Sequence, residues 1–525
     1  MDKRLQETQS KILNIITEVF IAIMIMIFPF VVDKNGFFKI LEVKWYTHLT
    51  IVIAYFSVVL SVLVYFGIYK RQNYFKNIKL SKAQIAIIVY MIVATISCLA
   101  SPFFSKYDLF IGVGRGEGLI NTLLYAATFL AISIFGKFSK RQICYISISS
   151  VIFNAICILQ YFGFNPFNMY QNGIGTHNVS FIGTVGNLDS VSMILCLYIT
   201  VAFMCYVFFK NTKKESALHI LSVVFGLFIF QIIDVDSGKV GMLFALMLIF
   251  PYILLKSEYL RKTLHLIAGM VVGFLVDLVV NLKYYYSTAE LKLEFQFNWI
   301  ALALMVCAVA ILALSYILKK IQYDLAKNKK FVWLIYGAML IIIIAAMLVI
   351  YFYDFGISIL HDIHEMLHGN ITDEMGTYRG FLWKRTVKLI KDAPFIGTGP
   401  DTFAIRFMSV YKQDVANLGK LTINDTAANV YLTMSINMGI IGLISYIAFS
   451  FFIIGRTIKI LLMGDFENVI QSKEKYYVVC AMALIALLVQ DFFNLWVVIV
   501  TPLLFVLFGI TYVAQGYCES HKEKY

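Results

Sequence analysis

An arginine on the apolar side of an amphipathic helix carries the clearest chemical potential in this sequence. Residues 378–391 repeat with helical period, ahead of Asp392-Ala393-Pro394, where proline ends the ladder. At about 100° per residue, Lys384, Lys388 and Lys391 share one face. Arg379 lies opposite, with Trp383, Val387 and Ile390. The lysine face suits water or anionic lipid. Arg379 needs a partner: an internal carboxylate, or a phosphate-bearing substrate whose oxygens match the guanidinium fork. His361, His364 and His368 share a face of the preceding segment by i, i+3, i+7 spacing. That spacing suits a metal, polar surface or proton acceptors. Asp277 and Asp491 lie inside or beside apolar runs, where carboxylates are functional suspects. The eight cysteines form no CxxC and no metal-ligand spacing, and read as small buried apolar residues.

The elements that must hold these residues are membrane helices. The chain has 525 residues, 60% hydrophobic, 16% aromatic and only 14% charged, with 7 prolines. Mean hydropathy is +0.80. A globular domain carries about 25% charged residues, so this composition excludes a soluble multidomain enzyme, a disordered chain and a disulfide scaffold. A helix needs about 20 apolar residues to cross the hydrocarbon core. The runs are too long for barrel strands, and helices are the other way to satisfy buried backbone there. Fourteen spans are predicted (with 12–14 as the range), near 12–32, 47–69, 83–104, 118–136, 142–163, 189–209, 217–235, 239–256, 262–282, 297–319, 331–353, 428–455, 476–493 and 495–515. The first is too long for a cleavable signal peptide and lacks a small-residue cleavage site.

The formal charge of +13 is a topology signal. With both termini inside, 28 of the 44 lysines and arginines fall on inner segments, and eight of the other 16 crowd into one long loop. This alternation accounts for the basic excess without nucleic acid. The long loop, 354–427, is far beyond an ordinary connection and reads as helix, helix, turn, helix. Asp401-Thr402 sits where the last of these needs an N-cap. The expected organisation is a bundle over 1–353, an extracytoplasmic helical loop over 354–427, and C-terminal membrane helices over 428–525.

Four patches resemble the O-antigen ligase and Wzy polymerase superfamily, particularly its Gram-positive branch. Gly114-Arg115-Gly116-Glu117-Gly118-Leu119 is similar to the family's G-R-E-E-G-L. Ser180-Phe-Ile-Gly-Thr-Val-Gly186-Asn187 is similar to its F-G-N-P-N entry to a helix. Arg379-Gly-Phe-Leu-Trp383 followed by Pro394-Phe-Ile-Gly397-Thr-Gly399-Pro400-Asp401-Thr402-Phe403 resembles R…W…P-x-x-G-x-G-P-D-T-F. Asp425-Thr-Ala-Ala-Asn429-Val-Tyr431-Leu432 resembles D-K-P-H-N-x-Y-L. Gln490-Asp491-Phe-Phe-Asn494 with Pro502 fits the terminal hairpin. The chain departs from the pattern at Ala428, where the family has histidine, and at Thr426-Ala427 for Lys-Pro. It also has Lys239 where a Ser-Arg pair is usual, and Leu188-Asp189 after Asn187 in place of Pro-Asn.

The resemblance implies an all-α, GT-C-like polytopic membrane glycosyltransferase of the plasma membrane, active on the extracytoplasmic face. It would take glycan from an undecaprenyl-pyrophosphate donor and pass it to a glycan or cell-surface acceptor, with no cofactor and no metal. Cations aimed at the departing pyrophosphate would stabilise the transition state. Arg115, Lys239 and Arg379 are the candidates. Glu117, Asp401 and Asp425 are candidate bases now that residue 428 is alanine. Trp383, Asn429 and Tyr431 would complete the substrate site. A lipid-linked polysaccharide flippase, or a binding protein that lost catalysis, are the rival readings. A flippase predicts inverted repeats and paired charges at mid-membrane, neither evident in the sequence.

Overall fold

The computed structural model describes residues 3–522 apart from 34–38, 72–73, 78, 163, 165, 170–182, 234, 280–281, 286–289, 294–298, 327 and 419–424. The start of the second motif, Ser180 to Ile182, therefore lies outside the described residues.

Each of the fourteen apolar runs forms a helix. Eleven are long and apolar enough to cross a membrane, and three more apolar helices are shorter. In chain order they are α1 (Lys3–Met26), α2 (Ile40–Tyr69), α3 (Lys82–Leu99), α4 (Leu119–Phe135), α5 (Lys140–Tyr161), α6 (Leu188–Phe208), α7 (Lys213–Ile232), α8 (Ser237–Ile253), α9 (Ser257–Val279), α10 (Trp299–Ile321) and α11 (Lys329–Phe352). The long loop forms α12 (Ser358–Leu367), α13 (Met375–Asp392) and α14 (Phe403–Asn417). Then come α15 (Val430–Leu462), a short α16 (Phe466–Gln471), α17 (Lys475–Gln490) and α18 (Thr501–Lys522). A two-stranded antiparallel hairpin, Leu282–Tyr285 with Glu290–Leu293, is the sole departure from helix among the described elements.

Burial follows composition. α6 is apolar all round and is buried from Ser190 to Phe208, packed by α7, α8 and α17. α11 is equally apolar yet buries only Val332. Such a surface in water would far exceed the few hundred Å² a monomer tolerates, and lipid is the solvent that fits it. Caps set the helix starts: Ser81 with Gln84, and Thr212 with Glu215, form reciprocal capping boxes. The last span begins later than its apolar run. Residues 494–500 are not helical, and the Thr501 hydroxyl accepts from the Val497 N–H at 2.9 Å, which holds the chain in a tight turn before α18.

The long loop has its own small core of Phe381, Leu382, Leu389, Phe403, Phe407 and Val415, joined by Ile436 of α15. Arg385 stacks 3.7 Å over Phe381 and pairs with Asp373 at 3.1 Å and Asp414 at 2.9 Å. The face assignment of α13 needs one correction. Val387 is 45% exposed, and the buried stripe runs through Leu382, Thr386 and Leu389. The three residues Gly376 to Tyr378 have positive φ, so the regular helix starts after them, one turn later than its first assigned residue, Met375.

The loop is joined to the bundle by backbone. α15 breaks at Gly439 (φ 69°, ψ −177°), a conformation essentially confined to glycine. Into the break comes the segment 394–399. Ile440 N–H donates to Pro394 O at 2.8 Å, Gly399 N–H to Asn437 O at 2.8 Å, and Thr398 N–H to Ile436 O at 3.0 Å. A Cβ on Gly439 would sit 2.2 Å from the Phe395 carbonyl, and one on Gly397 would sit 2.4 Å from Asn437 backbone. Gly439→Ala should therefore cost more than about 3 kcal/mol, the sum of backbone strain and overpacking. The expected result is a large loss of the monodisperse detergent-extracted protein in fluorescence size-exclusion chromatography, while Gly337→Ala, with nothing within 4 Å, extracts normally.

Candidate active site

The backbone docking brings the turn after α3, the turn after α13 and the segment before α15 together at one end of the bundle. The centre of this end is the turn 114–117. Asp401 holds it: its Oδ2 accepts from Gly114 N–H at 2.9 Å and Glu117 N–H at 3.3 Å, and the Arg115 N–H adds to these. Asp401 is thus not the N-cap of α14. Thr402 occupies that position with no side-chain cap, and Asp401, at φ 58°, is turned away to cap a loop nearly 290 residues earlier. Burial pushes the Asp401 carboxyl up to about 6 against the pull of these backbone donors.

Arg115 and Glu117 then diverge. Arg115 Nε donates to Asp425 Oδ2 at 2.6 Å, both side chains about a quarter exposed. Glu117 is half-buried, and Tyr125 O–H donates to its carboxylate at 3.0 Å. Burial first, and the Asp401 charge second, push the Glu117 carboxyl up to about 8. Of the three candidate bases, two are already committed: Asp401 to backbone and Asp425 to an arginine. Glu117 has the higher proton affinity of the two raised carboxyls, and its partners, the Tyr125 hydroxyl and the Val498 backbone, are neutral.

Arg379 follows the kink in α13. Its Nη1 donates to Gly376 O at 3.1 Å and to the Thr377 hydroxyl at 3.3 Å, and its Nη2 to Phe493 O at 3.2 Å. Among the described residues it makes no ion pair, and its Nε is buried without a partner. Its charge reaches Asp189 in the first turn of α6, and so, more weakly, does that of Arg115. Asn187 caps α6 through Asp189 N–H at 2.7 Å, and Asn494 Nδ2 donates to Asp189 O at 3.4 Å. Asp189 was not among the residues expected here. Its signal in the sequence was a carboxylate one residue inside a helix start that the resemblance had already marked.

Trp383, one turn after Arg379, donates from Nε1 to Ala427 O at 3.0 Å and lies 6.3 Å from the Phe493 ring. Ala428 beside it has φ 48°, which alanine adopts rarely and histidine several times more often. Asn429 caps α15, accepting from Leu432 N–H at 3.0 Å, and is buried. Its contact is structural. Tyr431 O–H donates to Leu488 O at 2.6 Å and packs against Phe492 at 4.5 Å. Lys239 pairs with Asp236 at 2.9 Å. It does stand at the same end: Gly238 N–H donates to Ser192 of α6 at 3.0 Å, and Gln490 of α17 reaches Ser237 at 3.4 Å.

The His364 and His368 rings lie 4.4 Å apart, but the three histidines form no metal-holding group among the described residues. His361 Nδ1 meets Asp354 at 2.8 Å, His364 Nδ1 meets Ile350 O at 2.7 Å, and His368 stacks on Tyr351 at 4.4 Å. Asp277 receives Tyr161 O–H at 2.7 Å and Gln231 at 3.4 Å, a polar contact between α5, α7 and α9. Asp491 is fully buried in the hairpin after α17.

One feature escaped sequence reading. An apolar groove of about 430 Å³ runs between α8, α11, α15 and α17, from Tyr431 and Phe492 at the Arg379 end to Leu461 and Leu462 at the far end of α15. Four helices far apart in sequence make it, so no local pattern announces it.

The family model described as O-antigen ligase matches residues 297–447. The match covers Arg379, Trp383, Asp401, Asp425, Asn429 and Tyr431, and leaves Arg115, Glu117 and Lys239 outside it. No curated protein matches the chain.

Proposed function

With an O-antigen ligase domain at residues 297–447, the chain is a member of the O-antigen ligase and Wzy polymerase superfamily, and we propose that it transfers or polymerises oligosaccharide from an undecaprenyl-pyrophosphate donor onto a glycan acceptor. The reaction takes place on the extracytoplasmic face of the plasma membrane. The acceptor hydroxyl oxygen bonds to the anomeric carbon of the donor while the bond from that carbon to pyrophosphate oxygen breaks. The electron pair leaves with the lipid pyrophosphate, and the hydroxyl proton passes to the Glu117 carboxylate.

The observation that carries this reading is Arg379. Its guanidinium rests on two backbone carbonyls and a hydroxyl, with no carboxylate in contact among the described residues and its Nε–H buried without a partner. A half-buried cation with one buried donor unpaired gains by taking an anion, and a pyrophosphate is the anion whose geometry fits the fork. The groove supports a lipid on that anion, since Phe492, which lines it, is the neighbour of Phe493, whose carbonyl Arg379 holds. Arg115 and Lys239 add positive charge at the same end. Their pairing with Asp425 and Asp236 keeps them oriented before the donor binds. The loop 354–427 serves as a lid built on the bundles 1–353 and 428–525, and these cations do the work of neutralising the leaving group.

The test uses the purified protein in nanodiscs with undecaprenyl-pyrophosphate oligosaccharide, following glycan length and released undecaprenyl pyrophosphate. Longer glycan with stoichiometric release is expected. Movement of intact donor between leaflets of sealed vesicles, without release, would replace this reading with a flippase. Saturable donor binding with neither would leave a binding protein.

A further inference from the structure

We propose that Trp45 and Asn121 are positioning residues that set the direction of the Glu117 carboxylate by holding the Gly116 carbonyl from two helices. The inference rests on the reading of Glu117 given above. Nothing in the matched region or the motifs points to either residue. Trp45 lies in the second turn of α2, and its Nε1–H donates to Gly116 O at 3.2 Å. Asn121 lies in the first turn of α4, and its Nδ2 donates to the same oxygen at 2.7 Å. A single carbonyl thus takes both of its hydrogen bonds from side chains, while Asp401 takes the N–H groups on either side of it.

The turn is therefore clamped on both edges. The N–H edge is held from the loop 354–427, and the C=O edge from the bundle. Rotation of the peptide joining Gly116 to Glu117 would break the two carbonyl contacts and the Asp401 contact to Glu117 N–H together. That peptide fixes where the Glu117 Cα–Cβ bond points. The clamp is rigid because its bundle side is packed. Asn121 and His48 of α2 are both fully buried, and the His48 ring lies 5.3 Å from that of Tyr125, the tyrosine that donates to Glu117. The Trp45 indole is also the nearest group to Gly116, with Cδ1 3.2 Å from where a Cβ would be. Groups held by two independent donors reach the reproducibility a proton transfer needs, and displacement of about 1 Å can cost up to about 10²-fold in rate.

Three variants test this: Trp45→Phe, which keeps the ring and removes the donor; Asn121→Leu, close in volume; and the double variant. Each single variant is expected to lower kcat about tenfold, with undecaprenyl-pyrophosphate affinity within about twofold of the unchanged protein. The double variant should lose more than the product of the two, because one donor can hold the carbonyl when the other is gone. Amide hydrogen exchange at Gly118 and Leu119, whose N–H groups bond back to Ile111 and Leu109, should accelerate without a comparable change elsewhere. Unchanged kcat in the double variant would overturn the proposal. So would a uniform rise in exchange with a lowered Tm, since that describes a general packing defect. If even the unchanged protein turns over no donor while exchange at 118–119 still accelerates locally, the clamp stands and the glycosyltransfer reading fails.

Discussion

Arg379→Ala is expected to lower turnover roughly 10²–10³-fold, the loss that follows removal of one preorganised donor from a developing oxyanion. The cation sits on the Phe493 and Gly376 carbonyls and the Thr377 hydroxyl with no carboxylate partner, so no competing ion pair softens the loss. Arg379→Lys should recover little, because an ammonium cannot keep the two carbonyl contacts and also present a fork. The effect should fall on kcat and donor affinity together, since the lipid pyrophosphate is present in both the bound donor and the transition state. Single-turnover release of undecaprenyl pyrophosphate, with donor affinity measured separately, reads both. A loss under about fivefold in both quantities would remove Arg379 from the leaving-group site.

Glu117→Gln is expected to be comparably severe, roughly 10²–10⁴-fold in kcat/KM, the usual contribution of a general base. Its pH signature distinguishes it from Arg379→Ala. A base with its carboxyl pushed up to about 8 is active once deprotonated, so kcat/KM should rise with pH and level off above about 8. The glutamine variant should lose that limb. Stability should move the other way. The folded state holds this proton more tightly than the unfolded chain, whose ordinary value is 4.5, so the native protein binds more protons between these limits. Stability present at acidic pH is therefore lost as pH rises from about 4.5 through about 8. Asp401, raised from 3.8 to about 6, contributes in the same direction over its lower window. Thermal unfolding of the unchanged protein and Glu117→Gln between pH 5 and 9 checks this. The glutamine variant should show the shallower decline, and a decline equal to that of the unchanged protein would mean that the carboxyl is already charged at neutral pH. The activity optimum then lies where the fold is least supported, as expected where a site keeps a carboxyl out of water for use as a base.

The membrane class, the existence of the fourteen apolar helices and the helical nature of the long loop are legible in the sequence alone. These depend on composition and on periods of about 3.6 residues, which are local. The helix end at Asp392 is readable for the same reason, whereas the role of Asn429 as the cap of α15 emerges only from the structure. The resemblance found Arg115, Glu117 and Arg379, and all three stand at one end of the bundle. The tertiary structure sets which groups each of them touches. Residue type and position suit Asp401-Thr402 to a helix start, and Thr402 takes the N-cap position, yet the Asp401 carboxylate binds N–H groups almost 290 positions away. Lys239 was matched to an arginine pattern, and it pairs locally with Asp236. Trp45, Asn121 and Asp189 carried no signal strong enough to select them. Their roles arise because the segment 394–399 docks into the break at Gly439, which fixes the loop on the bundle and brings separate turns within hydrogen-bonding reach. Helix formation needs only neighbours in sequence, whereas a carboxylate's proton affinity and an arginine's free N–H depend on which groups exclude water from them, and those groups come from everywhere in the chain.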